Sequence, residues 1–516
     1  MSQVLGLGYG LGFCFLGLFG FRMLGLSLAL RRALARQPER RALDPQRLPQ
    51  VTVQLPVYNE RFVAARAIDA LCRLRWPADR LEIQVLDDSD DVTRDVIDAR
   101  ATVWRARGVD LQVIRRGSRE GYKAGALAAG LALARGEALA VFDADFLPPP
   151  DFLERSLPYL APGIGAVQAR WGHLNADRSC LTRAQALALD GHFLVEQVSQ
   201  ARLGLFLNFN GTAGVWRREA IESAGGWQSD TLTEDFDLSY RAQLAGWRIQ
   251  MLPDLVAPAE LPDTLPAYRR QQRRWAMGTV QVLRKLGRAL LSADRPIPVR
   301  LLALLTLAGY LVHPVMLALL LGAPLLLIWP PVFPAGLSLL TLAPLCPPIL
   351  YAVGLCRVEP GWRRRLLRDY PGLALLTVGM ALAGSRAVFA ALLGQGGAFE
   401  RTPKRGLAAT GWTESEVLPS PIPASAPRPD RERADAPAPS DPDAYRLPLG
   451  RQSWAEGLLA AYAWGLVLAA LWAGVGWLAG FGLLYALGFS LVVGLALRDR
   501  QSADPRLRGE RRTLPA

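Results

Sequence analysis

Long apolar segments lie on both sides of one large polar block in this chain. The polar block is residues 42–295, and the apolar segments are residues 4–30, 301–329, 332–356, 372–394, 456–474 and 477–497. A helix of about 24 residues rises about 36 Å, which is enough to cross a hydrocarbon core of about 30 Å. Several of the apolar segments are therefore predicted to span a membrane.

The first apolar segment, residues 4–30, contains a single charged residue, Arg22. The basic run RRALARQPERR follows it, where a secretory signal would have a small-residue cleavage site. We therefore expect this segment to be a retained first span and not a signal peptide.

The opening of the polar block alternates between strand-like and helix-like stretches. Strands are predicted at residues 51–57, 81–89, 111–114 and 138–145, and helices at 60–74, 91–107 and 121–136. Strands separated by helices indicate an α/β fold with a mainly parallel sheet and helices on both faces. Binding sites in such sheets lie beyond the carboxyl ends of the strands, where two acidic clusters of this chain fall.

The net charge of +13 is concentrated beside the apolar segments. Basic loops at 357–370 and 401–405 and a basic tail from residue 498 are typical of the cytosolic side of a membrane. Segment 372–394 has basic flanks on both sides and Arg386 within it, so we expect it to lie in the interface or re-enter. In the polar block, Lys and Arg alternate with Asp and Glu, which does not favour a nucleic-acid partner.

These patterns predict five spans with the amino terminus outside. The expected units are a transmembrane helix at 1–32, a cytosolic α/β domain at 42–295, two transmembrane helices at 300–357, an interfacial helix and loop at 371–410, a disordered linker at 411–450, two transmembrane helices at 455–498 and a basic cytosolic tail at 499–516. The five cysteines are scattered and show no metal-ligand spacing, which fits a reducing cytosol.

Four polar clusters stand out in the block. They are Asp87-Asp88-Ser89, Asp143-Ala144-Asp145, Thr233-Glu234-Asp235 and Gln271-x-x-Arg274-Trp275. Each has an ordinary structural explanation, because acids after a strand are often turn or N-cap residues and arginines often form a solvated face. Thr231-x-x-Glu234 also has the spacing of a helix capping box.

Together the clusters fit the transfer of a sugar from a nucleotide-diphosphate sugar. The departing diphosphate needs a divalent metal, and Mg²⁺ or Mn²⁺ is held by carboxylates such as Asp143 and Asp145, which we expect on one side of an extended segment. Lys123 and Arg274 would add positive charge for the diphosphate.

The acceptor hydroxyl needs a general base, which Asp235 can supply. The apolar face of a sugar ring stacks on an indole, which Trp275 can supply. Three histidines, His173, His192 and His313, are expected to have structural roles. Trp171 is expected either in the core or as an acceptor platform.

The order of these clusters resembles the membrane-bound family 2 glycosyltransferases of the cellulose synthase superfamily. The resemblance covers about residues 50–295 and is densest in the strings QVLDDSDD, GYKAGAL, FDADFLPPPDFL, VQARW, FNGTAGVWR and QQRRW. These strings look most like the cellulose-synthase-like glucomannan and xyloglucan-backbone synthases and their bacterial relatives. The resemblance implies a GT-A-type nucleotide-sugar-binding domain joined to an all-α transmembrane region.

The resemblance also implies roles on the donor side. Asp87 and Asp88 would contact the nucleotide, and Asp143 and Asp145 would bind the diphosphate and a Mg²⁺ or Mn²⁺ ion. Residues 399–404, FERTPK, resemble the gating-loop motif of processive members, with Arg401 where the family has Val. Thr402 and Lys404 would then close over the donor.

On the acceptor side, Asp235 would be the base of an inverting single displacement. Gln271, Arg274 and Trp275 would form the diphosphate and acceptor site, and residues 209–214 would line the acceptor end.

Two functions are consistent with this resemblance. The first is a processive synthase that moves mannose from GDP-mannose or glucose from UDP-glucose to a β-linked polysaccharide and passes the polymer through its own spans. The alternative is a non-processive enzyme that makes a glycolipid on diacylglycerol or a polyprenyl acceptor. In both, we expect a multi-pass integral membrane protein, in a bacterial inner (plasma) membrane, with its catalytic domain in the cytosol. A scaffold without catalysis is disfavoured by the intact acids at 143, 145 and 235.

Overall fold

The computed structural model describes residues 1–331, 343, 345–395, 397, 404, 406 and 450–503. Thr402, nearly all of the linker predicted at 411–450 and most of the tail predicted at 499–516 lie outside the described residues. The predictions made for those parts of the chain therefore stay predictions.

A seven-stranded sheet forms the centre of the polar block. Its strands are β1 (Val51–Val57), β2 (Leu81–Asp87), β3 (Leu111–Ile114), β4 (Ala138–Val141), β5 (Ile164–His173), β6 (Gly214–Arg217) and β7 (Arg248–Ala259). The strand order is β3-β2-β1-β4-β6-β5-β7, and only the pairings of β6 with β4 and β5 are antiparallel. The predicted α/β fold with a mainly parallel sheet is therefore confirmed.

Two predicted strands end earlier than expected. The strand expected at 81–89 ends at Asp87, and the strand expected at 138–145 ends at Val141. Beyond β4 the chain forms a turn, because the Asp143 N–H donates to the Thr212 hydroxyl (2.8 Å) and the Phe146 N–H donates to the Asp143 carbonyl (3.0 Å). Asp143 and Asp145 are thus in a turn, and the extended segment expected for them was wrong.

Helices cover both faces of the sheet, as the buried strands require. They are α2 (Ala64–Leu71), α3 (Thr93–Arg105), α4 (Tyr122–Leu133), α5 (Phe152–Ser156), α6 (Cys180–Gly191), α7 (Val198–Leu203), α8 (Arg218–Ser223) and α9 (Glu234–Leu244). Successive side chains of a strand point to opposite faces, so Ala138 and Ala140 join one hydrophobic core while Leu139 and Val141 join the other.

A long amphipathic helix, α10 (Leu265–Ser292), leads from the sheet toward the apolar helices. Pro266 stands in its first turn, where a missing N–H is tolerated. Its buried face includes Ala276, Met277 and Val280, which pack against residues of a later apolar helix. The Gln-x-x-Arg-Trp cluster lies on this helix.

The apolar segments form helices. They are α1 (Ser2–Ala35), α11 (Ile297–Leu307), α12 (Val312–Gly322), α13 (Leu325–Ile328), α14 (Cys346–Leu355), α15 (Trp362–Gly379), α16 (Ala381–Leu392), α17 (Arg451–Trp472) and α18 (Gly476–Ala503). In the described residues, α1, α17 and residues 476–500 of α18 are each long and apolar enough to cross a membrane. Residues 297–322 and 362–392 form two further apolar helix pairs, bent by 56° and 47°.

The second bent pair covers the segment that the sequence places in the interface. Its break follows Gly379, and Pro371 lies inside its first helix. α15 packs on α6 and α18, whereas α16 packs on α10. Each bent pair is either a broken span or a re-entrant loop, so the membrane topology and the unit boundaries stay predictions.

Two glycines allow α15 and α18 to touch through their backbones. A Cβ atom on Gly488 would lie 2.9 Å from the Leu375 carbonyl oxygen and 3.1 Å from the Gly379 nitrogen. Small residues at such contacts allow apolar helices to approach closely in a membrane.

We expect Gly488→Leu to destabilise the folded protein by about 1–3 kcal/mol, the usual cost of overpacking. The measurement is the thermal unfolding midpoint in detergent. Gly480→Leu is the matched control, because a Cβ atom on Gly480 of the same helix has nothing within 4 Å. Equal midpoints for the two variants would contradict the contact.

Candidate active site

One cleft opens beyond the carboxyl ends of β1, β2 and β4. Its lining includes the predicted site residues Asp88, Lys123, Asp143, Asp145, Asp235, Gln271, Arg274, Trp275 and Lys404. The sequence separation among these residues is large, so the fold itself brings them together. Of the other predicted residues, Thr402 lies outside the described residues, and Asp87 lies behind the cleft wall.

Asp87 is 1% exposed, and its carboxylate holds neighbouring groups. It accepts from Arg115 Nε (2.7 Å) and from the Ser89 N–H (3.0 Å). The geometry gives Asp87 a supporting position under the loop that carries Asp88, and a direct contact with a nucleotide stays a prediction.

The β2 end of the cleft is lined by Asp88, Arg119, Tyr58 and Tyr122. Asp88 accepts from Arg116 through both of its carboxylate oxygens. The Arg119 guanidinium lies 3.3 Å from the ring centroid of Tyr58 and 5.0 Å from that of Tyr122. Flat side chains and N–H donors of this kind suit a nucleoside.

Asp143 and Asp145 follow β4, and each meets a lysine. Lys123 Nζ donates to Asp143 Oδ1 (2.5 Å), and Lys404 Nζ donates to Asp145 Oδ2 (2.6 Å) and to the Glu260 carbonyl (2.7 Å). Burial raises the pKa of Asp145; Lys404 opposes this effect, and the charge of Asp143 adds to it. The cleft therefore holds two neighbouring carboxylates, each of which needs a positive charge beside it and has a lysine as its partner.

The donor set fits a divalent metal that is shared with a substrate. Two carboxylates facing one cleft offer the hard oxygen ligands that Mg²⁺ and Mn²⁺ take, with phosphate oxygens completing the shell. The described residues contain no group of three or more His, Cys, Asp or Glu side chains arranged to hold an ion alone. Asp143 and Asp145 are the residues that would hold it.

Lys123, on α4, is the central cation of the cleft. Besides Asp143, its ammonium donates to the Gly211 carbonyl (2.9 Å) and lies 3.7 Å from Glu234 Oε1. Burial alone would lower the pKa of Lys123, but Asp143 and Glu234 outweigh it and hold that pKa above its ordinary value. Lys123 is therefore charged.

The first turn of α9 carries the two acids Glu234 and Asp235. The helix begins after Thr233, whose side chain caps none of the N–H groups in the described structure. Because the N-cap position is occupied by Thr233 and not by Thr231, the capping-box explanation of Thr231-x-x-Glu234 was wrong. Glu234 instead faces Lys123 in the cleft. Burial and then the charge of Glu234 raise the pKa of Asp235 to about 7.

The segment 209–214 closes the side of the cleft next to Asp235. Gly211 has φ +79°, and a Cβ atom there would lie 2.7 Å from Asp235 Oδ2. Only glycine combines this backbone conformation with the close approach. Asn210, beside it, also lines the cleft.

Helix α10 presents Gln271, Arg274 and Trp275 to the cleft, because positions i, i+3 and i+4 share one helix face. The approach of α10 to α9 needs Gly278, where a Cβ atom would lie 2.5 Å from the Thr233 side chain. The acid pair and the Gln-x-x-Arg-Trp cluster are thereby held side by side.

Several cleft residues were missed by the sequence reasoning. They are Tyr58, Arg119 and Glu260, which carry no periodic signal. Asn210 belongs to the predicted segment 209–214, and Glu234 to the predicted cluster Thr233-Glu234-Asp235, although neither was given a role of its own.

Trp171 packs in the core and also lines the cleft, and its role as an acceptor platform stays a prediction. Its ring packs edge-on against Phe146 (5.3 Å between ring centroids) and at a tilt against Phe193 (5.4 Å). His173 lines the cleft as well, with Nε2 3.3 Å from Asp190 Oδ1. His313 lies in a separate cavity.

Comparisons with known proteins agree with this geometry. Residues 49–278 match the protein family described as "Glycosyltransferase like family 2". Glucomannan 4-beta-mannosyltransferase 2 of Arabidopsis thaliana is 43% identical over 279 residues, covering 51% of this chain and 52% of that protein. Glucomannan 4-beta-mannosyltransferase 1 of Oryza sativa subsp. japonica is 43% identical over 272 residues, covering 49% and 52%.

The chain spans about half the length of these curated relatives. Among solved structures, the mannosyltransferase PcManGT from Pyrobaculum calidifontis, in complex with GDP-Man and Mn²⁺, superposes with a TM-score of 0.52 at 24% identity. The match covers 75% of this chain and 99% of that one, and it shows a common fold. The family resemblance inferred from the motifs and the GT-A-type fold are confirmed.

The charge of Glu234 generates a prediction about pH. If Asp235 must lose its proton for sugar transfer, kcat/KM should fall about tenfold per pH unit below the Asp235 pKa, which is about 7. Because the negative charge of Glu234 raises that pKa, Glu234→Gln should move the acidic limb of the plot of kcat/KM against pH to lower pH.

The control is Asp230→Asn, which removes the same charge from an exposed carboxylate 2.8 Å from Lys285. It should leave the limb in place. A limb that stays unmoved in Glu234→Gln, or that moves equally in both variants, would contradict the electrostatic assignment.

Proposed function

We propose, on the premise that residues 49–278 form a family 2 glycosyltransferase domain, that this chain is a hexosyltransferase that extends a β-linked polysaccharide. The observation that carries the proposal is the meeting of a buried, high-pKa carboxylate, a buried lysine and two turn carboxylates in one cleft. These are the groups that a nucleotide-diphosphate sugar and an acceptor hydroxyl require.

The donor binds at the β2 and β4 side of the cleft. Its nucleoside lies near Asp88 and Arg119, and its diphosphate lies between the turn acids and the α10 residues Gln271 and Arg274. Asp143 and Asp145 would hold a Mg²⁺ or Mn²⁺ ion, which supplies positive charge to the leaving diphosphate. Lys123 adds a fixed positive charge beside it.

The acceptor hydroxyl attacks from the side of Asp235. Asp235 Oδ takes the hydroxyl proton, the acceptor oxygen forms the new bond to C1 of the donor sugar, and the bond from C1 to the diphosphate oxygen breaks. The nucleoside diphosphate leaves with the bonding electrons, and the anomeric configuration inverts. A pKa of about 7 for Asp235 suits a base that works near neutral pH.

Mannose from GDP-mannose is the transferred sugar that the relatives favour. Both plant proteins are named for 4-beta-mannosyl transfer to glucomannan. UDP-glucose is the second donor to test, because a glucomannan contains both sugars.

A second cavity supports coupling between synthesis and membrane passage. Its polar lining consists of Tyr268, Gln272, Arg273, Tyr310, His313 and Thr377. The cavity lies between α10 and the two bent helix pairs, beside both of their breaks. Gln272 and Arg273 of this cavity are the sequence neighbours of the cleft residues Gln271 and Arg274 on α10, so a growing chain would pass along this helix from the cleft to the cavity.

Lys404 supports the gating role inferred from the FERTPK motif. Its ammonium reaches the Asp145 carboxylate, which places residue 404 on the same side of the molecule as the cleft. The gating role of Thr402 and Lys404, the cytosolic position of the cleft and a bacterial plasma membrane as the location are parts of the proposal.

The first test uses membranes that contain the full chain. With labelled GDP-mannose we expect a β-linked polymer, and Asp235→Asn should lower the transfer rate by about 10²–10⁴-fold because the base is lost. GDP binding should change little, since the new amide is close in size to the carboxylate.

The product separates the candidate functions. Label that extracts into organic solvent would indicate a glycolipid and contradict the polysaccharide proposal. An Asp235→Asn variant that keeps more than half of the wild-type turnover would contradict the base assignment. UDP-glucose, tested in parallel, checks the choice of donor.

The second test removes the metal. Excess EDTA should abolish transfer, and Mg²⁺ or Mn²⁺ should restore it, because the ion held by the two carboxylates would supply positive charge to the leaving diphosphate. Asp145→Asn should raise the metal concentration needed for half-maximal transfer by at least about tenfold, since even the loss of an outer-shell partner costs about 10–100-fold in metal affinity. Full transfer in excess chelator would contradict the metal site.

A further inference from the structure

A buried ion pair joins the first apolar helix to the catalytic domain. Arg22, the single charged residue of segment 4–30, places Nη1 2.6 Å from Glu196 Oε1. The two side chains are 10% and 14% exposed. A charged residue in an apolar helix costs free energy and usually serves a function. Apolar packing would be enough to hold this helix against the domain, so the ion pair is not needed for docking alone.

Glu196 lies in an unusual turn of helix. Residues His192–Gln197 form a π-helical turn between α6 and α7, a feature that is rare and often found at functional sites. The second carboxylate oxygen of Glu196 lies 3.2 Å from His192 Nδ1. Burial would raise the pKa of Glu196, but Arg22 and His192 lower it to about 2, so the carboxylate is charged.

The contacts continue from His192 to the cleft. His192 Nε2 lies 3.2 Å from the Asn210 side-chain oxygen, and Asn208 Nδ2 donates to that same oxygen (2.9 Å). The amide oxygen of Asn210 is therefore held toward His192 and Asn208, away from the cleft. Its nitrogen makes one long contact, 3.4 Å, to the Asn208 carbonyl, so an N–H remains for the cleft that Asn210 lines.

Asn210 is also next to the catalytic groups. The carbonyl of the following residue, Gly211, accepts a hydrogen bond from Lys123, and the missing side chain of Gly211 leaves room for Asp235. An acceptor hydroxyl that gives its proton to Asp235 belongs to a sugar ring within reach of this segment. A neighbouring hydroxyl of that ring can accept the Asn210 N–H.

We propose that Arg22, Glu196 and His192 form a positioning chain that orients the Asn210 amide toward the acceptor sugar. Through this chain, the first apolar helix contributes to acceptor binding. Asn210 touches substrate, and the other three residues act through it. The inference rests on the proposed function and adds the acceptor-side contact to it.

The test compares Arg22→Met, Asn210→Ala and the double variant, in membranes, with labelled GDP-mannose and a short β-1,4-linked manno-oligosaccharide. Loss of one hydrogen bond to the acceptor should raise the acceptor KM about fivefold to tenfold in each single variant. The Kd for GDP should stay unchanged. Because Arg22 acts through Asn210, the double variant should match Asn210→Ala alone.

Ser199→Ala is the matched docking control. Its hydroxyl donates to the Leu26 carbonyl (3.0 Å), one turn along the same helix from Arg22, without touching the chain of contacts. This variant should keep the wild-type acceptor KM. Arg22→Lys, which retains the charge, should recover part of the loss.

The outcomes separate the two proposals. Additive effects in the double variant, an unchanged acceptor KM in Arg22→Met, or an equal KM change in Ser199→Ala would each overturn the positioning chain while leaving the transferase intact. A wild-type protein that transfers sugar from neither GDP-mannose nor UDP-glucose would overturn the proposed function itself. If Arg22→Met does not fold, Glu196→Gln, which keeps the side-chain size, replaces it in the same comparison.

Discussion

The charge of Lys123 is the constraint on which the cleft depends. A buried ammonium is stable only when anions and carbonyl oxygens surround it. Lys123 therefore draws together the turn after β4 through Asp143, the segment 209–214 through the Gly211 carbonyl, and the first turn of α9 through Glu234. The same assembly buries Asp235 next to a second carboxylate, and burial together with that charge raises the pKa of Asp235. Neutralising a single cation thus brings three separate segments of the chain to the cleft at once.

Sequence reasoning worked where local pattern determines structure. The first four strands carry the β-branched and other apolar residues of buried strands, with a few polar residues among them. Acids that follow two of them line one cleft because parallel strands share one carboxyl edge. Contacts between distant positions were beyond that reasoning. The antiparallel strand β6 depends on pairing with β4 across about 75 residues. Glu234 has the spacing of a cap, and only the tertiary position of Lys123 makes it a cleft residue. The Lys404 contact could be inferred only through a family resemblance, because nothing local points from a loop to Asp145.

Polar contacts, and not only apolar packing, connect the α/β domain to the apolar helices. Arg22 of α1 meets Glu196, Arg365 of α15 meets Asp190 (2.6 Å), and Arg269 of α10 pairs with the fully buried Glu456 of α17. Buried ion pairs are strongly directional, so each fixes a helix in orientation as well as in position. The domain and the helices around it therefore form one assembly. A shift of one of these helices would displace α6 or α10, and α10 carries residues of the cleft.

Gly211 has a consequence for redesign of the cleft. Its carbonyl is used by Lys123, its backbone conformation excludes most side chains, and the space beside its Cα is filled by Asp235. Under the proposed function, no substitution at this position can alter which sugars are accepted without displacing Asp235, the proposed base. New acceptor preferences would then have to arise at other residues of the cleft lining, such as the neighbouring Asn210, Trp171 and Trp275.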